Sequence, residues 1–138
     1  MINLTDDERA QLIDLAKEAR RRAYAPYSNY PVAAVLRTRS GRIFTGCNIE
    51  NAAYPTSMCA ERTAIFKAVS EGEKEFDVIA LVTPNGGSPC GSCRQVMAEF
   101  GLDTLVLVAD AEGRLVLETT VDGLLPGAFT PKDIKRQA

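Results

Sequence analysis

Apolar residues recur near the start of the chain at Leu12, Leu15, Ala16, Ala19 and Ala23, the spacing of one helical face. Thr5 and Glu8 stand just ahead of that stripe and make a capping box, which predicts where the helix begins. Two prolines in AYAPYSNYP (23–31) end it. VAAVL (32–36) and IF (43–44) then flank Arg39-Ser40-Gly41-Arg42, a pattern that predicts a β-hairpin. A loop over 48–56 leads into a second predicted helix, from about Ser57 to Val69, that stops near Gly72. VIALV (78–82) and LVLVA (105–109) are continuous apolar runs of strand length, as expected of strands buried on both faces. Between them lie the loop TPNGGS (83–88) and a third predicted helix, from Pro89 to about Phe100. Ala111-Glu112-Gly113 reads as a turn, LVL (115–117) as a last strand, and DGLLPGAFTPKDI (122–134) as a short helical piece followed by irregular chain. This order predicts one α/β domain over 1–138, a three-layer α-β-α sandwich around a five-stranded mixed sheet.

Composition narrows the function classes. Sixteen basic against eighteen acidic side chains leave a net charge of −2, without the basic surplus that polynucleotide binding needs. The local cluster Arg20, Arg21 and Arg22 reads as a solvated helix face or a subunit contact. No apolar run reaches membrane-span length, and MINLTDDERA lacks a signal-peptide core. Neither nucleic acid nor membrane is therefore expected as a partner. Four cysteines without a secretory signal point to a reducing compartment, the cytoplasm, where thiols bind metal or act as nucleophiles. The chain has no histidine. Serine triads, Cys–His pairs and HExxH zinc sites all require imidazole, so acid–base chemistry here falls to a carboxylate, lysine, tyrosine or bound water.

The candidate chemistry lies in two segments. SPCGSCRQV (88–96) sets Cys90 and Cys93 three apart at a predicted helix start, with Ser88 placed to cap and Pro89 in the first turn. SMCAERTA (57–64) sets Cys59 in the first turn of the other helix, two residues before Glu61. Helix N-termini lower thiol pKa and favour the thiolate that zinc requires. Two such termini facing one spot would hold three thiolates and leave one tetrahedral corner open, the catalytic arrangement. The competing arrangement closes the site with Cys47, giving a structural Cys₄ centre. Cys47, in FTGCN at a predicted strand end, reads instead as a small buried hydrophobe. Glu61 weighs the same way, because a carboxylate beside an anionic thiolate cluster serves only as a proton acceptor for metal-bound water.

CAE followed by PCxxC resembles the zinc-dependent nucleoside and nucleobase deaminases, with cysteine where many members have histidine. GCNIENAAYPTSMCAERTAIFKAVSEG (46–72) and LLPGAF (124–129) resemble more narrowly the small homotetrameric cytidine deaminases, and the likeness runs from Tyr27 to Phe129. The resemblance implies hydrolytic deamination of cytidine and 2′-deoxycytidine with release of ammonia. It implies one zinc per subunit on Cys59, Cys90 and Cys93, with Glu61 shuttling protons. Arg62 would hydrogen-bond the cysteine sulfurs and restore acidity to an over-compensated metal. Asn48 and Glu50 match a ribose-binding pair, and a carboxylate there suits a free nucleoside over a 3′-phosphate. Tyr30 stands where phenylalanine usually packs on the pyrimidine, and Phe129 resembles an aromatic reaching a neighbouring subunit's site. The Ala60 backbone and a carbonyl near Ser88 would read the base edge. Ala33, Tyr30 and Ser92 depart from the usual glycine, phenylalanine and small residue at their positions. Two rivals share these residues: a blasticidin-type nucleoside-analogue deaminase, and a zinc-stabilised binding module closed by Cys47.

Overall fold

The Thr5 hydroxyl accepts the Glu8 amide at 3.1 Å and the Thr5 amide donates to the Glu8 carboxylate at 2.9 Å. This reciprocal cap opens helix α1 (Asp6–Arg20) in the computed structural model, which describes residues 2–135. The two ends of the expected 1–138 domain, residue 1 and residues 136–138, lie outside the described residues. The buried stripe of α1 is Leu12, Ile13, Ala16 and Ala19. Leu15, expected in that stripe, is exposed, and Ala23 lies beyond the helix end, because the helix closes three residues earlier.

Strands β1 (Ala33–Thr38) and β2 (Ile43–Cys47) form the expected hairpin. They are followed by α2 (Ala60–Ser70), β3 (Phe76–Val82), α3 (Gly91–Phe100), β4 (Leu105–Ala109) and β5 (Leu115–Thr120). The sheet order is β2-β1-β3-β4-β5, with β3 and β4 parallel and the other neighbours antiparallel. A parallel pair needs a crossover connection, and α3 supplies it. On β3, Val78, Ala80 and Val82 face α1, whereas Ile79 and Leu81 face the layer containing α2 and α3. Period-two alternation with apolar side chains on both faces is why VIALV reads as an unbroken apolar run.

The tail departs from expectation. A short helix α4 (Val121–Leu124) is followed not by wholly irregular chain but by a second turn of helix, α5 (Pro131–Lys135). Thr130 caps it: its amide donates to the Asp133 carboxylate at 2.8 Å, and Pro131 takes the first position, where no amide is needed.

One glycine sets the distance between the layers. A Cβ on Gly46 would lie 2.6 Å from the Ala60 carbonyl oxygen and 2.6 Å from the Ala64 amide nitrogen. Its absence lets the first turn of α2 rest directly on β2, and that turn carries the site.

Candidate active site

Ile49 and Met58 exchange both backbone hydrogen bonds at 2.9 Å, an isolated antiparallel bridge that keeps the chain extended up to Cys59. The helix expected from Ser57 therefore starts at Ala60, and Cys59 is its N-cap rather than a first-turn residue. The second helix repeats the arrangement. It starts at Gly91, not Pro89, and Cys90 is the N-cap in extended conformation. Ser88, expected as the cap, instead accepts the Arg94 guanidinium at 2.9 Å. Neither cysteine cap spends its side chain on a helix amide. Both sulfurs are free to converge, and the helix amides stay oriented toward them.

They do converge. Cys59 Sγ lies 4.0 Å from Cys90 Sγ, and Cys90 Sγ lies 3.4 Å from Cys93 Sγ. Among the described residues, Cys59, Cys90 and Cys93 form the one group whose ligand atoms could hold a metal ion, all within 4.8 Å of one another. A tetrahedral zinc with Zn–S bonds of ~2.3 Å separates its sulfurs by about 3.8 Å, so the donor set and its spacing fit that ion. Cys47 is not in the group. It ends β2, opposite Ala33, half-buried and unpaired. The closed Cys₄ alternative has no geometric support.

The cluster's charge balance follows from its neighbours. Cys59 is lowered to about 5, first because the Cys93 thiol donates to it and then because Arg62 stands beside it, against the opposing effect of burial. Cys93 is pushed well above the usual thiol range by that same hydrogen bond, by burial and by the nearby Glu61 charge. A bound dication would favour the thiolate form of all three cysteines. Glu61 is only 4 % exposed, and burial holds its carboxyl above the normal range.

Arg62 donates to Cys59 Sγ at 3.3 Å through Nη2, and its buried Nε has no protein partner. A cation in the first turn of a helix opposes the helix dipole unless anions face it, and here the thiolates do. Arg62→Ala is expected to weaken zinc retention by about 10-fold or more, the usual cost of removing a group that orients a metal ligand, and to lower turnover with it. Metal content after dialysis against a weak chelator, measured beside kcat, checks this; unchanged values for both would refute it.

A cavity of about 380 Å³ opens over this centre. The first turn of α2 contributes Ala60 and Glu61, the start of α3 contributes Cys90, and Ser88 precedes it. Tyr30, Asn48 and Glu50 line the opposite side. Asn48 is already engaged: its Oδ1 accepts the Val32 amide at 3.0 Å and its Nδ2 donates to the Tyr30 carbonyl at 2.8 Å. One Nδ2 hydrogen is left for a ligand. Glu50 accepts the Tyr27 and Ser28 amides, each at 3.0 Å, and the Ser28 hydroxyl, which hold its carboxylate below the usual range. Two residues do not reach this cavity. Ala33 is buried within the sheet between Cys47 and Val82, so its methyl group does not border the base pocket as expected. Phe129 is 56 % exposed, held only by its carbonyl, which accepts from Gln95 at 2.7 Å. Ser92 is an exposed α3 residue. A larger cleft, of about 660 Å³, lies along α1 between Asp14, Lys17 and Arg20. It holds no thiol and no buried acid, and its charges are solvated.

Two supporting residues escaped the sequence reading. Ser28 steers Glu50, and Arg94 ties the loop before α3 together by donating to the Pro89 carbonyl at 2.7 Å and the Leu124 carbonyl at 2.8 Å. Arg94 had a visible signal: like Arg62, it is a cation near a helix N-terminus, where the dipole disfavours it.

Three thiols on two helix starts beside a buried carboxylic acid make a site that could hold a metal ion with one corner left open. Residues 6–109 match the family described as the cytidine and deoxycytidylate deaminase zinc-binding region. A protein of Sporosarcina psychrophila named cytidine deaminase is 50% identical over 131 residues, 93% of this chain and 96% of that one. The crystal structure of cytidine deaminase from Burkholderia pseudomallei superposes with a TM-score of 0.83 at 45% identity, covering 91% of this chain and all of that one. That of Mycobacterium tuberculosis gives 0.75 at 35% identity, over 91% and 98%. The chain belongs to the zinc-binding cytidine and deoxycytidylate deaminase family.

Proposed function

We propose that this protein is a single-domain enzyme that hydrolyses cytidine and 2′-deoxycytidine to uridine and 2′-deoxyuridine, releasing ammonia, with one zinc per subunit. The observation that carries the reading is Glu61, a carboxylic acid 4 % exposed in the same cavity as the three-sulfur cluster. Zinc bound by Cys59, Cys90 and Cys93 would supply an acidified water at the free corner. Glu61 takes the water proton, delivers it to N3 of the pyrimidine, and then carries a second proton to the departing amine. The second proton comes from the oxygen now bonded to C4, which becomes the uridine carbonyl as the C4–N bond breaks, and burial, by raising the carboxyl's proton affinity, favours each pick-up by Glu61. The Ala60 amide, at the first position of α2, is free to donate to the base, and the Ser88 carbonyl to accept from it.

Asn48 and Glu50 serve the ribose. Glu50 is kept ionised and oriented by its three donors, accepts from a sugar hydroxyl, and repels a 3′-phosphate. Free nucleosides are therefore the substrate class, and pyrimidine salvage in the cytoplasm the setting. Among the described residues no helix is long and apolar enough to cross a membrane, in keeping with that setting. A homotetramer with shared sites fits the exposed Tyr24, Ile49, Tyr54, Phe66 and Phe129, apolar surface that subunit contacts would cover. Light scattering at four times the 14.9 kDa chain mass would support that assembly. The function itself is tested by adding zinc-loaded protein to cytidine and following its absorbance band. The band shifts to that of uridine if the reading holds, and an unchanged spectrum refutes it.

A further inference from the structure

The loop 83–90 joins β3 to α3 and carries Ser88 and Cys90, yet it has no regular structure. Its middle is Asn85-Gly86-Gly87. Gly86 sits at φ +79°, and two adjacent glycines lose more conformational entropy on ordering than any other pair. Such a loop stays in place only if something outside it holds it.

Asn85 does this through one atom. Its Oδ1 accepts the Gly87 amide at 3.2 Å from inside the loop and the Tyr30 hydroxyl at 2.6 Å from across the cavity. The fit around that hydroxyl is tight. A Cβ built on Gly87 would come within 2.5 Å of the Tyr30 hydroxyl oxygen and 3.4 Å of Asn85 Oδ1, so only glycine admits the contact. The other end of Tyr30 is held as firmly: its amide donates to Ser28 Oγ at 3.1 Å, and its carbonyl accepts from Asn48 at 2.8 Å. Ser28 in turn holds Glu50. The result is a continuous hydrogen-bonded strap from Glu50 through Ser28, Tyr30 and Asn85 to Gly87. It links the sugar end of the cavity to the loop that leads into Cys90.

We propose that Asn85 and the Tyr30 hydroxyl are a positioning pair that fixes the 84–88 loop as one wall of the pyrimidine-nucleoside cavity, setting how tightly substrate binds rather than how fast it reacts. The proposal rests on the deaminase reading above. Neither group touches the sulfurs or Glu61, and Arg94 separately clamps Ser88 and Pro89, so the metal end of the loop keeps its own support when the strap is cut.

The test is steady-state deamination of cytidine by zinc-loaded wild type, Asn85→Ala, Tyr30→Phe, the double variant and Asn85→Asp, with uridine affinity measured by calorimetry in parallel. Each of the first two single changes is expected to raise KM, and to weaken uridine binding, by about 5–10-fold, as loss of a neutral hydrogen bond does, with kcat within about twofold. Because Asn85→Ala already breaks the link that Tyr30→Phe removes, the double variant should be no worse than Asn85→Ala alone. Asn85→Asp should restore wild-type KM and uridine affinity within about twofold, since its carboxylate accepts the same two hydrogens. Multiplying effects in the double variant, a fall in kcat at constant KM, no change in uridine affinity, or failure of aspartate to restore it would each overturn the pair. A wild type inert toward cytidine would overturn the deaminase reading itself, a result distinct from an active enzyme whose KM ignores Asn85.

Discussion

Glu61→Gln is expected to leave a folded, zinc-loaded protein whose cytidine turnover is reduced by about 10²–10⁴-fold, the range for removing a positioned general acid–base group. The size follows from how few proton carriers the site holds. There is no histidine in the chain, Asp and Lys are absent from the cavity, Arg62 cannot release a proton, Glu50 is held ionised by its own donors, and the Tyr30 hydroxyl is taken up by Asn85. Glutamine keeps the shape of the buried side chain but carries no transferable proton, so both deliveries fail together. It also removes a buried carboxylate that burial disfavours, and stability should not suffer. Turnover, metal content and thermal midpoint measured on one preparation check all three statements. Activity within tenfold of wild type would show that the proton path runs elsewhere.

Stripping the metal is the second large effect. Cys59 and the Cys90/Cys93 pair lie on opposite sides of the α2–β3 segment, so the ion cross-links two helix starts distant in sequence. At a free zinc concentration ~1,000 times the dissociation constant, binding stabilises the folded state by about 4 kcal/mol, on the order of 10 °C in Tm for a domain of this size. Chelation should abolish activity and lower Tm by that order while leaving the sheet folded, because most of the buried core residues in both layers are apolar side chains that do not bind the ion. Adding zinc back should restore both. Thiol counting supplies the control: Cys90, exposed, and Cys59, half-buried, should become reactive in the stripped enzyme and stay protected in the loaded one, while buried Cys93 reacts slowly in both.

The strands and the metal ligands were legible in the chain for the same reason: their signals are local. VIALV and LVLVA are apolar on both faces, and CAE and PCxxC place their thiols within one turn of a helix start. What was misread depends on contacts distant in sequence. The α2 start was misjudged because the Ile49–Met58 bridge, a pairing across a loop, keeps residues 57–59 extended. Leu15 has the helical spacing of a buried residue, but the packed face of α1 is Leu12, Ile13, Ala16 and Ala19, which leaves it exposed. Asn48 matches a ribose-binding residue in sequence, but two backbone partners claim most of its amide, a pairing that no local pattern shows. Phe129 is exposed on one copy of the chain, so its expected role belongs to a surface that a single sequence does not specify. Thr130-Pro131 with Asp133 is a helix-start signal in the tail that the reading of 122–134 as largely irregular chain does not use.

Sulfur is a poor substitute for oxygen at a helix entrance. Ser, Asp or Asn at an N-cap typically adds about 1 kcal/mol that cysteine does not, and this fold forgoes it at the heads of both α2 and α3. Selection for heat resistance alone would therefore drift toward hydroxyl or carboxylate side chains at 59 and 90, and would arrive at sturdier molecules with nothing left to grip an ion.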